Sequence, residues 1–254
     1  MPDAVTDVEV GCYVYGVVLA DADLPTLTGI DGAEVEYVER DGIAAAVGEI
    51  AIDRPPGRRK DLLAHSEVVD ALVKAGPVVP VQFGSVLADR DSVVHDLLEV
   101  DHDYFAGLLE DVRGRVQLNL RASYVEEQVL AEVVQEHPEI AELRERTRDL
   151  PSGTMHPDLV RLGEMVSKVM EQRRREDADV VLDVVRPLIV AEADRAGGGI
   201  DHLLEVALLV EEDRVRELED KLEELAEAVH ERIRLRLTGP VAPYDFVGGG
   251  GGWA

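Results

Sequence analysis

The sequence predicts an α+β protein of two domains, in which small, mostly antiparallel sheets pack against helices. Short apolar or alternating runs, which are typical of strands, occur in both halves of the chain, and so do apolar residues spaced three or four apart, which are typical of helices. The chain has 254 residues, which suits one large domain or two small ones. It contains no repeat of roughly 20–50 residues, so a solenoid is excluded.

The predicted N-terminal α+β domain spans residues 1–112 and opens with strands. Residues Tyr13–Leu19 are apolar almost throughout, as in a strand buried on both faces. Residues Glu34–Val38 and Ile43–Ile50 are expected to form a hairpin around an Asp-Gly turn. The segment Asp53–Gly57 contains two prolines and must interrupt regular structure.

Two helices and an extended segment complete this predicted domain. An amphipathic pattern predicts a helix over Lys60–Ala75, which a Gly-Pro pair ends. Val78–Leu87 is expected to be a strand pair or a bent strand, because a proline and a glycine interrupt it. Asp91–Leu109 is predicted to be a second helix with its leucines packed inward.

The predicted C-terminal domain spans residues 113–239 and begins with a half-buried strand, in which Val116, Leu118 and Leu120 alternate with polar residues. Polar helices are predicted to follow at Val125–Gln135 and at Pro138–Arg148. A loop at Pro151–His156 then leads into a helix over the stretch from Leu159 to Met170, and another helix is predicted at Ala178–Ala196. The last of these is expected to be interrupted by a proline and ended by three glycines.

The same domain is predicted to close with a strand, a helix and a strand. Leu203–Val210 is apolar, Glu211–Glu231 carries apolar residues three or four apart, and Arg232–Thr238 alternates. Such a strand–helix–strand unit occurs in ferredoxin-like folds. Residues 240–254 are predicted to form a tail, with a Pro/aromatic motif followed by a flexible glycine run.

Composition excludes several classes of function. The chain holds 53 acidic and 26 basic residues, for a formal net charge of −27, which repels nucleic acids and anionic membranes. No apolar run reaches the ~18–20 residues of a membrane span, and the acidic N-terminus lacks the features of an export signal. The single cysteine, Cys12, forms no internal disulfide and no Cys-rich zinc site. We therefore expect a cytoplasmic protein that binds neither nucleic acid nor membrane.

No group of residues predicts catalysis, a metal site or a cofactor. His95 and His102 lie seven residues apart beside aspartates, but a metal needs three or four convergent ligands, and a solvated helix face is favoured. No nucleophile, base and orienting residue occur together. The residues alone therefore indicate a binding or structural protein rather than an enzyme.

Two groups of arginines are candidate contacts for an acidic surface. Arg232, Arg234 and Arg236 share one face of the last predicted strand, which suggests an acidic surface either on a partner protein or on a neighbouring helix of this chain. Both interpretations stay open. The arginine triplet at 173–175 is followed at once by two acidic residues, which favours a self-compensated helix end.

Four segments, taken together, carry a resemblance to a known family. They are YVYGVV at 13–18, HSEVV at 65–69 with VPVQFGS at 79–85, HLLEVALLV at 202–210, and LRLTGPVAPYDFV at 235–247. In this order and spacing they resemble the gas vesicle protein F/L family over about residues 11–247, and the closing string is the most specific part. The family usually has an aromatic residue where this chain has Val241.

The resemblance implies a non-enzymatic accessory protein of gas vesicle assembly, whose C-terminal part is a modified ferredoxin-like fold with helical additions. It implies binding to the small hydrophobic shell protein and to other accessory proteins, which keeps the shell protein from aggregating and helps to nucleate the vesicle. A minor structural component of the vesicle wall is the alternative, and the implied location is the cytoplasm and the gas vesicle. Tyr244 and Phe246 join the strand arginines as candidate partner contacts, although both aromatic side chains would also serve to fasten the tail.

Overall fold

The protein is described here by a computed structural model that covers residues 9–151, 156–199 and 201–248. The chain divides into two compact units. One holds the described residues up to Gln117 together with those from Pro240 onward, and the other holds Leu118–Gly239. The predicted segments 1–112, 113–239 and 240–254 remain a prediction of domain organisation.

The first unit is built on a six-stranded sheet. Its strands are β1 (Val10–Leu19), β2 (Leu27–Thr28), β3 (Glu34–Arg40), β4 (Ile43–Ala51), β5 (Val78–Pro80) and β6 (Val86–Leu87). Their order is β2-β3-β4-β1-β5, and β6 also pairs with β1. The predicted β3–β4 hairpin is confirmed, and it turns at Asp41 and Gly42. Both turn residues have positive φ (46° and 91°), which an Asp-Gly pair accommodates readily.

Helices cover both faces of this sheet. They are α1 (Arg59–Ala75), α2 (Arg90–Ser92) with a π-helical continuation at Val93–Glu99, and α3 (His102–Asp111). On β1, Tyr13 and Tyr15 pack with residues of α1, whereas Cys12 and Val14 pack with residues of α3 and the π-helical segment. The central strand is therefore buried on both faces, as its apolar sequence predicts.

The single helix predicted over Asp91–Leu109 is wrong. The wide π-helical turn adds a residue per turn and brings Val93, Leu97 and Leu98 into the core with no exposure. The chain then forms a turn at the exposed Val100 and the half-buried Asp101 before α3 begins. Packing of three apolar side chains against the sheet thus outweighs the uniform helical pattern of the sequence.

The second unit contains a four-stranded sheet in the order β10-β7-β9-β8. Its strands are β7 (Arg115–Tyr124), β8 (Ala191–Asp194), β9 (His202–Glu211) and β10 (Ile233–Val241). Its helices are α4 (Glu126–Glu136), α5 (Pro138–Thr147), α6 (Pro157–Val185) and α7 (Val215–Val229). The predicted α+β class with two antiparallel sheets is confirmed, while the ferredoxin-like classification of this unit remains a prediction.

The helix predicted around Leu159–Met170 is confirmed, but it is part of a longer helix, α6, which continues to Val185. The helix predicted over Ala178–Ala196 is wrong beyond that residue. Pro187 lacks an N–H and falls in a 3-10 turn that directly follows α6. The remaining residues Ala191–Asp194 form β8, because they pair antiparallel with β9. Pairing with a neighbouring strand therefore decides whether this segment is a helix or a strand, because its own sequence pattern fits both.

The segment predicted to be a tail contributes to the core of the first unit as far as it is described. Ala242 and Val247 are buried in the two hydrophobic clusters that flank the sheet, and Tyr244–Val247 forms a short helical turn. Of the predicted glycine run at 248–252, all but Gly248 lies outside the described residues, as do residues 152–155 of the predicted loop after α5. Within the described ranges, none of the helices combines the length and apolar character needed to cross a membrane.

Candidate functional site

Three helices of the second unit enclose an apolar groove. α4 and α5 form a tight helical hairpin at His137, whose N–H donates to the Val133 carbonyl (3.1 Å) and whose carbonyl accepts from the N–H of Ile140 (2.9 Å). Pro138 occupies the first turn of α5, where a helix needs no N–H donor. α6 contacts both helices of the hairpin. The groove is the space that remains between the three.

The groove has a volume of about 760 Å³, in the range of ligand pockets. Its walls are mostly apolar, and the side chains that line it include Leu130, Val134, Ile140, Leu162, Val166 and Met170. Ile140 and Met170 are buried, whereas the other four are half-buried. Because the half-buried side chains still present apolar surface to solvent, a ligand with an apolar face would gain free energy by covering them.

Small residues on α6 widen the groove. Gly163 and Ser167 lie one turn apart on its wall. A Cβ atom added at Gly163 would meet no atom within 4 Å, so the space in front of this residue is empty. The Cβ atom of a side chain placed there would therefore meet no clash, so a large residue at this position is a suitable probe for blocking the groove.

Ion pairs bracket the part of α6 that lines the groove. Towards its start, Arg146 of α5 binds Asp158 at 2.5 Å. Towards its middle, Arg173 binds Glu132 of α4 at 2.7 Å and also pairs with Glu136. The Arg173 side chain is only 12% exposed, so its pairs are less screened by solvent than the exposed Arg146 pair. These contacts hold α6 against α4 and α5 while leaving the apolar stretch between them open.

Arg232, the first of the three predicted strand arginines, is bound within this unit. Its guanidinium makes two hydrogen bonds to Asp177 of α6 (2.6 and 2.8 Å) and one to Glu132 of α4 (2.9 Å). Burial disfavours the charged guanidinium and lowers its pKa, but the carboxylates of Asp177 and Glu132 have the larger combined effect, so the pKa of Arg232 is raised. Tyr124 donates to Asp177 at 2.6 Å, and burial together with this carboxylate raises the pKa of Tyr124. For Arg232, the acidic surface lies on neighbouring helices of the same chain.

Arg234 and Arg236 are placed differently from Arg232. Both are exposed on β10, opposite the half-buried Leu235 and Leu237. Neither makes a hydrogen bond or ion pair with any residue in the part of the chain that the structure describes. The predicted three-arginine face is thus divided, with one arginine used internally and two left for solvent or a partner.

Tyr244 and Phe246, the predicted aromatic contacts, lie in the first unit. The Tyr244 hydroxyl is 2.9 Å from Nε2 of His65, and Phe246 is half-buried. Between and beyond them, the N–H of Asp245 donates to Gln117 (3.2 Å), and Tyr104 donates to the Val247 carbonyl (2.9 Å). These bonds fasten the closing motif to its own unit. Since 39% of Tyr244 remains exposed, contact with a partner through it stays a prediction.

His65 is the centre of a buried aromatic cluster in the first unit. The N–H of Gly84 donates to the Tyr13 oxygen (3.0 Å), the Tyr13 hydroxyl lies 2.9 Å from Nδ1 of His65, and Nε2 of His65 lies 2.9 Å from the Tyr244 hydroxyl. A neutral imidazole donates at one ring nitrogen and accepts at the other, so it can satisfy both hydroxyls. Burial lowers the pKa of His65 to about 4 and raises the pKa of Tyr244 to about 12. The cluster is therefore uncharged at neutral pH.

The two histidines considered as metal ligands do not converge. His95 contacts Glu99 (2.9 Å), and His102 contacts Asp103 (3.4 Å) and the Asp41 carbonyl (3.2 Å). Among the described residues, no group of three or more His, Cys, Asp or Glu side chains is placed to hold a metal ion. The arginine triplet at 173–175 lies inside α6, where Arg173 binds α4 rather than the acidic residues that follow it.

The groove was not predicted from the sequence, although the apolar pattern of α4 indicates it. α4 was expected to be a polar helix, yet it carries two adjacent apolar stripes, Val129 with Val133 and Leu130 with Val134. The first stripe is buried in the unit, whereas the second is half-buried and faces the groove. A second stripe beside a complete packing stripe is the feature that would have indicated an open apolar surface.

The chain is similar to known proteins over most of its length. The family model described as gas vesicle synthesis protein GvpL/GvpF matches residues 11–248. Gas vesicle protein F of Streptomyces sp. strain CB03234 is 32% identical over 242 residues, covering 92% of this chain and 98% of that protein. Gas vesicle protein L1 of Halobacterium salinarum is 26% identical, covering 93% and 90%.

Two solved structures share the fold. The crystal structure of GvpF from Anabaena sp. PCC7120 has a TM-score of 0.81 at 22% identity, covering 95% of this chain and 99% of that one. The crystal structure of GvpF from Microcystis aeruginosa has a TM-score of 0.76 at 19% identity, covering 93% and 98%.

Proposed function

Because the chain belongs to the GvpL/GvpF family of gas vesicle synthesis proteins, we propose that it is a non-enzymatic assembly factor that binds the small hydrophobic shell protein. In this role it keeps the shell protein from aggregating and helps to nucleate the vesicle. Participation in gas vesicle formation follows from the family itself. The binding and nucleation steps are our proposal.

The groove between α4, α5 and α6 is the observation that carries this proposal. A protein that lines a gas-filled space exposes apolar surface before assembly and would otherwise aggregate through it. The groove offers about 760 Å³ of mostly apolar space for such a surface. Recognition of an amphipathic helix by an apolar groove needs anchors on successive turns of the ligand, and Leu130, Val134, Leu162 and Val166 provide matching contacts along two helices.

The acidic surface completes the proposed mechanism. Covering apolar side chains supplies the affinity, because each fully buried Leu or Val contributes about 1.5–3 kcal/mol. The net charge of −27 keeps the resulting complexes apart by mutual repulsion. Release needs no reaction: contacts between shell subunits replace contacts with the groove as the shell grows. We accordingly place the protein in the cytoplasm and at the gas vesicle, with the shell protein and other accessory proteins as partners.

Co-expression with the shell protein of the same organism tests this function. The shell protein should stay in the soluble fraction when this chain is present and precipitate when it is absent. Gly163→Trp should fill the groove without unfolding the helix and should return the shell protein to the pellet. Lys168→Trp is the matched control, because Lys168 is exposed on the same helix and does not line the groove. Equal precipitation with and without this chain would contradict the proposal.

The alternative role, a minor component of the vesicle wall, makes a different prediction. A built-in wall component should remain with isolated vesicles after a urea wash, whereas an assembly factor should be removed. Retention after the wash would therefore favour the structural role.

A further inference from the structure

The sheet of the second unit has an edge that no described strand covers. β10 is its terminal strand and pairs with β7 on one side only. The Val125 N–H donates to the Arg232 carbonyl (2.8 Å), and the Thr238 hydroxyl donates to the Asn119 carbonyl (3.4 Å). Extended along the two strands, the Val125–Arg232 backbone bond implies an antiparallel register, and the Thr238 side-chain contact agrees with it. Since backbone groups alternate along a strand, those of Leu235 and Leu237 point away from β7 and are available to an added strand.

Three arginines lie beside this edge on one face of the sheet. The register places Arg121 of β7 directly opposite Arg236 of β10, with Arg234 two residues further along. All three are exposed, and none makes an ion pair or hydrogen bond with a residue in the described ranges. Like charges directly opposite each other destabilise a sheet. An arrangement that costs stability in a chain with twice as many acidic as basic residues indicates a use outside the unit.

The opposite face of the same edge carries both apolar and acidic side chains. Leu235 and Leu237 line a second groove of about 400 Å³ between β10 and α7, and the helix side contributes the apolar Leu222 and Ala226 together with Glu219 and Glu223. A strand added beside β10 would point alternate side chains into this groove and the remaining ones towards the arginines.

We propose that the free edge of β10 binds an extended segment of a partner protein in which acidic residues alternate with apolar ones. The partner backbone pairs with the outward N–H and C=O groups of Leu235 and Leu237. Its acidic side chains lie beside Arg234, Arg236 and Arg121, and its apolar side chains enter the groove next to α7. This surface does not include the α4–α5–α6 groove, so strand binding at β10 and shell-protein binding in the groove can each be disproved without affecting the other.

A peptide titration tests the proposal. The probe is a soluble peptide of about ten residues that alternates glutamate and valine, and the reverse-charge control alternates lysine and valine. We expect the acidic peptide to shift the backbone amide NMR signals of residues 233–237 and to slow amide exchange at Leu235 and Leu237. We expect no such change with the lysine peptide.

Variants separate strand addition from simple charge attraction. Arg234→Glu with Arg236→Glu should weaken binding of the acidic peptide at least about tenfold, whereas Arg161→Glu with Arg216→Glu, which changes two exposed arginines elsewhere in the unit, should leave it within about twofold. Leu235→Pro removes one outward N–H while keeping all charges, and it should also weaken binding about tenfold. A probe peptide with alternate amides N-methylated makes the same test without altering the protein.

Three results would overturn the proposal. They are no binding of the acidic peptide, undiminished binding of the N-methylated peptide, and binding of a single-stranded DNA oligonucleotide as strong as that of the acidic peptide. The last two would show attraction to negative charge without strand pairing. The proposed shell-protein function would be unaffected by any of them, because it is measured through Gly163→Trp.

Discussion

Acidification should destabilise the first unit through His65. Its pKa falls from an ordinary 6.5 to about 4 in the folded protein, because burial disfavours the imidazolium. The unfolded chain therefore takes up a proton first as the pH falls. Stability is fully present above pH ~6.5 and is lost progressively between pH ~6.5 and ~4.

The size of this stability loss follows from the change in the pKa of His65 between the unfolded and folded protein. Each pKa unit corresponds to about 1.4 kcal/mol, so complete protonation costs about 3 kcal/mol, of which about 2 kcal/mol is lost on going from pH ~7.5 to ~5. The phenols that face His65, Tyr13 and Tyr244, have raised pKa values and do not titrate in this range. Asp61, on the same helix, has a lowered pKa because the N–H groups of Arg58 and Gly57 donate to it.

Urea unfolding of the wild type and His65→Asn at the two pH values isolates the contribution of His65. Near-UV circular dichroism is a suitable readout, because of the six tyrosines only Tyr124 lies outside the first unit. The asparagine side chain of the variant cannot titrate, while all other groups, Asp61 included, are common to both proteins. The stability advantage of the wild type over His65→Asn should shrink by about 2 kcal/mol at the lower pH.

Two results would refute this reasoning. The first is a wild-type advantage that stays constant between the two pH values. The second is a His65 pKa near 6.5 in a direct NMR titration of the imidazole in the folded protein. Either would mean that water reaches the ring and that the proposed neutral hydrogen-bond chain is not maintained.

Three further variants test individual contacts by urea or thermal unfolding. Gly163→Ala should raise the free energy of unfolding by about 0.5–1 kcal/mol, because the added Cβ meets empty space and glycine is unfavourable within a helix; destabilisation would show that the groove wall is closed. Arg232→Met should lower the free energy of unfolding by about 2–3 kcal/mol, since Asp177 would lose its charge partner. This loss is smaller than that for a fully buried ion pair, because the Arg232 side chain is 30% exposed. Tyr244→Phe should cost about 1 kcal/mol through the lost bond to His65, and no change would contradict a fastening role for the closing motif.

Much of the fold could be predicted because its local signals agree with its packing. The apolar run at Tyr13–Leu19 is buried on both faces, and the Asp-Gly pair turns the β3–β4 hairpin. Prediction failed where contacts with distant parts of the chain determined the secondary structure of a segment. Ala191–Asp194 becomes a strand only because β9 lies beside it, and Val93–Glu99 adopts a π-helical turn to place its apolar side chains in the core.

The candidate site was less predictable than the fold. The alternation correctly placed Arg234 and Arg236 on one strand, but it did not show that Arg232 lies in the turn before β10 and is bound by Asp177 and Glu132. Those carboxylates come from helices about 50 and 100 residues away in sequence, so no local pattern could reveal them. The groove likewise depends on how far three helices stand apart, which the spacing of apolar residues within each helix does not determine.

If the α4–α5–α6 groove receives the shell protein, a site-specific crosslinker placed inside the groove should capture it. The photoreactive amino acid p-benzoylphenylalanine is introduced in place of Leu162, inside the groove, or in place of Lys168, on the same helix outside it. Cells that are assembling gas vesicles are then irradiated, and covalent adducts are identified by mass spectrometry. We expect an adduct with the shell protein from position 162 and none from position 168. Absence of the adduct at 162, or an equal yield from both positions, would contradict shell-protein binding in the groove.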